Sequence, residues 1–105
     1  MIKVTFTESG NKLSLRLEGH AGYAEHGKDI VCASTSILAY TLASLIESYG
    51  IKSTTNLEGG EATIECECTD HPMMDVIRDA FYFALWGYTL LEQNYPQYVR
   101  VNTLT

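Results

Sequence analysis

Ile2, Val4 and Phe6 alternate with Lys3, Thr5 and Thr7, and beyond ESGNK the residues Leu13, Leu15 and Leu17 alternate with Ser14, Arg16 and Glu18. Successive strand side chains point to opposite faces, so two period-two runs around a Gly-Asn pair predict a β-hairpin with one buried face. From about Val31 to Tyr49 the period becomes helical, with Leu38, Leu42, Leu45 and Tyr49 on one stripe. Gly50 is the expected stop. IKSTTNLEGGEATIECEC predicts a second hairpin turning at Gly59-Gly60, with Ala62, Ile64, Cys66 and Cys68 facing inward.

TDHP then predicts a helix start with Pro72 near the first helical position. The helix runs to about Asn94 on a stripe of Ile77, Phe81, Ala84, Tyr88 and Leu91. Phe83, Trp86 and Leu90 lie off that stripe. Two explanations compete: a helix packed between the sheet and the first helix, or a dimer interface. A last strand is expected around Tyr98 to Asn102. Strands with one apolar face need cover, and two amphipathic helices supply it. The expected fold is α+β in two layers, ββαββα(β), with a mainly antiparallel sheet covered by two helices, as one domain over residues 1–105.

Composition narrows the function classes. A net charge of −6 with 7 scattered cations offers no footprint for a phosphate backbone, which argues against nucleic acid as a partner. The N-terminus lacks the basic flank and apolar core of a secretory signal. The longest apolar-rich run, Phe81 to Leu91, is too short to cross a bilayer, so no membrane partner is expected. An odd number of cysteines, 3, agrees with a reducing compartment. The expected location is cytoplasmic.

The chemistry concentrates in GHAGYAEHGKDIVCAS, from Gly19 to Ser34. A cysteine attacks as its thiolate, which is scarce at neutral pH when the thiol pKa is about 8.5. Cys32 falls in the expected first turn of the first helix, where unpaired N–H groups and the helix dipole favour negative charge. Asp29 suits the N-cap, and the same first-turn amides are expected to hold an oxyanion. A base is also needed. His20 follows directly on a strand, whereas His26 sits in mid-loop; anchoring favours His20 without excluding His26. Buried cysteines and loop histidines are commonly inert, so this spacing alone does not establish a catalytic pair. Cys66 and Cys68 read as core residues, and with His71 they would make a poor zinc site lacking a fourth ligand. No metal is expected. Gly19, Gly22 and Gly27 give the loop freedom to close over a substrate, or merely satisfy turns. Tyr23 is either a substrate contact or an ordinary packed tyrosine.

The whole loop resembles the signature H-A-x-Y-A-x-x-G-x-D-I-V-C-A-x-x-S of the ribosomal-processing cysteine protease Prp family. His20, Ala21, Tyr23, Ala24, Gly27, Asp29, Ile30, Val31, Cys32, Ala33 and Ser36 carry the match. The resemblance implies a small α+β cytoplasmic endopeptidase, homodimeric and free of cofactors. Its implied substrate is a ribosomal protein precursor, large-subunit protein twenty-seven, whose N-terminal extension it removes during ribosome assembly. His20 and Cys32 would be the catalytic dyad. Asp29 and Ser36 would support the site or be structural, and the glycine-rich loop, with Gly19, Gly22, Tyr23 and Gly27, would order around substrate. Family substrates are cut after a hydrophobic, aromatic-containing stretch and before a basic mature terminus. A phage-borne relative that processes phage structural proteins, a non-catalytic peptide-binding module and a Cys32 redox sensor are the alternatives.

Overall fold

A computed structural model describes residues 1–25, 28–58, 61–67 and 72–104. Its elements are β1 (Ile2–Ser9), β2 (Lys12–Glu18), α1 (Ile30–Ser48), β3 (Ser53–Glu58), β4 (Glu61–Glu67), α2 (Met74–Asn94) and β5 (Val99–Leu104). They form one five-stranded sheet in the order β3-β4-β2-β1-β5. The β1/β2, β2/β4 and β3/β4 pairs are antiparallel and β1/β5 is parallel. The expected α+β class, element order and mainly antiparallel sheet are thus present.

Alternation explains the first hairpin and its register. Val4 pairs with Leu17 and Phe6 with Leu15, placing these apolar side chains on one buried face. Ser9 pairs with Lys12 across the two-residue loop Gly10-Asn11, and Gly10 takes the positive φ of 59° that such a loop demands. Leu15 in turn pairs with Ile64 and Leu13 with Cys66, so the buried row continues into β4. Each fully buried side chain of this kind stabilises the domain by about 1.5–3 kcal/mol. Gly59, Gly60 and Cys68, together with most of TDHP, lie outside the described residues.

The pairings also fix what each helix connects. β3 and β2 are both antiparallel to β4, so they run parallel to each other, and α1 is the crossover between them. By the same reasoning α2 joins the parallel strands β4 and β5. The end of β2, the start of α1, the end of α2 and the start of β1 therefore meet at one end of the sheet.

The α1 stripe differs from expectation. Its buried residues are Val31, Thr35, Ala39, Leu42 and Ile46, whereas Leu38 and Leu45 are half-buried and Tyr49 is exposed. Apolar residues encircle much of this helix, and the small residues Thr35 and Ala39 turn inward. At 19 residues, with a mean hydropathy of 1.6 over an 18-residue window, α1 also exceeds Phe81–Leu91 as the longest apolar segment. Its length and composition would suit a membrane span, but here its inner face belongs to the shared core. Gly50 ends it as expected: at φ 70°, its N–H donates to Glu47 O (2.9 Å) and that of Ile51 to Ile46 O (3.4 Å), a Schellman motif.

α2 buries Met74, Ile77, Phe81, Ala84 and Tyr88. The Tyr88 hydroxyl donates to Thr35 O at 2.9 Å, tying the helices together. Met73 is the N-cap, which places Pro72 one residue before the cap rather than inside the first turn. Phe83 (77%), Trp86 (67%) and Leu90 (52%) remain exposed. Packing within this chain therefore does not account for them.

Candidate active site

Chain direction brings His20 and Cys32 to one end of the sheet. β2 delivers His20 two residues past its end, and Cys32 follows in the first turn of α1. Both line an open cleft of about 480 Å³ together with Gly22, Ala24, Asp29, Ala33 and Ser36. Ser36 lies one helical turn beyond Cys32 and faces the same cleft.

Asp29 organises this end of the molecule. It caps α1 with φ −83° and ψ 102°, and its Oδ1 accepts from Val31 N (3.0 Å) and Cys32 N (2.9 Å). Its Oδ2 accepts from the loop amides Tyr23 N (2.9 Å) and Ala24 N (3.3 Å). One carboxylate thus fastens the loop to the helix start. Burial alone would raise the Asp29 pKa, but the N–H donors of Cys32, Ala24, Tyr23 and Val31 outweigh it and hold the carboxyl below its ordinary value. Asp29 is therefore a carboxylate at neutral pH.

This arrangement narrows one expectation. The Val31 and Cys32 amides are committed to Asp29 Oδ1, and Ala33 N–H donates to Asp29 O at 3.0 Å. Three first-turn amides expected to hold an oxyanion are already paired. The Cys32 sulfur instead accepts from the Ala21 N–H at 3.4 Å, a contact with no motif of its own in the sequence. Among the described residues the His20 ring makes no hydrogen bond. Its carbonyl accepts from Met1 N at 2.7 Å, which anchors its backbone beside β1.

Gly19 is required where it stands. It has φ 92°, and a Cβ there would lie 2.5 Å from the Met1 carbonyl oxygen. Gly22, at φ 69°, borders the cleft with open space around it. Tyr23 packs its ring edge-to-face with Tyr95 (5.5 Å) and Tyr98 (5.2 Å), at the junction of α2 and β5. It is not among the side chains lining the cleft. His26, Gly27 and His71 lie outside the described residues. Cys66 is buried in the core, as expected.

The site thus places a cysteine at a capped helix start and a strand-anchored histidine in one cleft of a small α+β fold. Comparison with known proteins gives the family. Residues 1–100 match the sequence profile of the cysteine protease Prp, and the chain belongs to that family. The ribosomal processing cysteine protease Prp of Bacillus subtilis is 43% identical over 42 residues, 38% of this chain and 38% of that protein. Among solved structures, a Streptococcus mutans protein aligns over 100% of this chain and 95% of its own, with 29% identity and a TM-score of 0.73. An essential ribosomal processing protease Prp from S. aureus, solved with a covalently linked product peptide, aligns over 98% of this chain and 99% of its own. Its identity is 26% and its TM-score 0.79.

Proposed function

We propose that this chain is a cysteine endopeptidase that removes the N-terminal extension of the precursor of large-subunit ribosomal protein twenty-seven, with His20 and Cys32 as its dyad. The shared cleft of His20 and Cys32 carries this reading, supported by membership of the family and by the product peptide covalently held in the S. aureus relative.

His20 accepts the Cys32 proton as the ring closes on the sulfur in the peptide-filled cleft; catalytic hydrogen bonds often tighten only in the substrate complex. The thiolate forms a bond to the scissile carbonyl carbon, and the carbonyl π pair moves onto oxygen. Collapse restores the carbonyl and breaks the C–N bond, and protonated His20 gives its proton to the departing amine. Water, deprotonated by His20, then cleaves the thioester and frees Cys32. Asp29 holds the loop against α1, and Ser36 borders the substrate path. No cofactor enters these steps.

The exposed Phe83, Trp86 and Leu90 support a homodimer through α2. A cytoplasmic location follows from the ribosomal substrate. Mass spectrometry of a digest of a peptide spanning the extension junction tests the reading. Cleavage at one bond, lost in Cys32→Ala and in His20→Ala, is expected. Binding without cleavage would replace the protease with a peptide-binding module, and loss of activity in His26→Ala but not His20→Ala would reassign the base.

A further inference from the structure

We propose that the Ala21 main-chain N–H is the catalytic donor of this site, bonded to the Cys32 sulfur at rest and stabilising the oxyanion during peptide-bond cleavage. This rests on the protease reading above. Among the described residues, Ala21 N–H is the amide bonded to the reacting sulfur, at 3.4 Å. The Val31, Cys32 and Ala33 amides at the helix start are held by Asp29 and would have to abandon the N-cap to serve instead.

An oxyanion donor is effective when it is fixed before charge develops. The His20–Ala21 peptide unit is fixed on every side. Its carbonyl accepts from Met1 N at 2.7 Å, and Gly19 before it sits at φ 92° against the Met1 carbonyl. The Ala21 side chain is buried. Two residues on, Tyr23 is held by Asp29 Oδ2 through its amide and by Tyr95 and Tyr98 through its ring. The carbonyl oxygen of a bound peptide is one bond from the carbon that the sulfur attacks. An amide fixed beside the sulfur is therefore also within reach of that oxygen when the new S–C bond forms.

The test is a full-length chain, joined by ligation, in which the amide between His20 and Ala21 becomes an ester by using lactic acid at position 21. This removes one N–H and keeps every side chain. With the extension-junction peptide, kcat should fall on the order of a hundredfold while KM changes little, the loss typical of one missing oxyanion donor. An ester chain that folds and cleaves at the all-amide rate overturns the proposal. If the all-amide chain itself does not cleave, or Cys32→Ala still does, the protease reading has failed instead.

Should the ester chain not fold, the unmodified ¹⁵N-labelled protein provides the measurement. A peptide aldehyde adds to the thiol and places a hemithioacetal oxygen in the site. The Ala21 amide proton should then move downfield more than those of Ile30, Val31 or Cys32. A larger shift at any of those three, with Ala21 unmoved, overturns the assignment.

Discussion

Replacing Asp29 with alanine removes the acceptor for four backbone N–H groups at once. The two bonds to Oδ1 form the helix cap, whose loss costs about 1–2 kcal/mol. The buried Val31 amide has no water to turn to, and an unsatisfied buried donor adds about 1–3 kcal/mol. The Tyr23 and Ala24 amides lie in exposed residues and recover part of their loss from solvent. The expected total is about 2–4 kcal/mol, or a melting temperature about 10–20 °C lower for a domain of this size. Asp29→Asn retains one acceptor oxygen and should cost roughly half as much. Because the folded pKa is depressed, this stabilisation is fully present above the ordinary carboxylate value and is lost as pH falls through the folded one. Thermal unfolding followed by circular dichroism at neutral and acid pH reads both effects. An Asp29→Ala chain melting with the parent at neutral pH, or a gap from Asp29→Asn that widens on acidification, would refute the reasoning.

Gly19→Ala forces a Cβ onto the Met1 carbonyl at a positive φ, so calorimetry should show a loss of about 1–2 kcal/mol from the backbone conformation alone, and activity should drop. Gly22→Ala, with open space around it, should cost less and leave the melting point closer to that of the parent. The Glu8 carboxyl is held below its ordinary value by the Tyr82 hydroxyl and by Arg78, whose Nε lies 2.8 Å from Oε2. Glu8→Gln should therefore lower the melting temperature at neutral pH, and the deficit should vanish as acid protonates Glu8 in the parent. Tyr88→Phe removes the bond to Thr35 O and should cost about 1 kcal/mol in urea unfolding.

Period-two alternation was sufficient to read β1, β2 and β4, because a one-residue slip would bury Lys3, Arg16 or Glu65 in place of their neighbours, whereas β3 was read from the Gly-Gly turn expected after it. Helical spacing was a weaker guide to α1, where Leu38 and Leu45 compete with Ala39 and Ile46 for the inner face, and contact with the sheet decides between them. The parallel pairing of β5 with β1 has no local signature, since it joins residues almost a hundred positions apart. At the site, Asp29 was legible as a cap. Its second pair of bonds, to Tyr23 and Ala24, depends on how the loop folds back over the helix start. The bond from Ala21 to the sulfur was hidden for the same reason, since a main-chain amide leaves no mark on residue type.

Peptide-bond cleavage through an acyl-Cys32 intermediate is tested most directly by mass spectrometry of enzyme quenched in acid during turnover of the junction peptide. The substrate's N-terminal fragment should appear as a thioester on the proteolytic fragment containing Cys32, with Cys66 and Cys68 unmodified. An acyl group on another residue, or undiminished cleavage by Cys32→Ala, would contradict it.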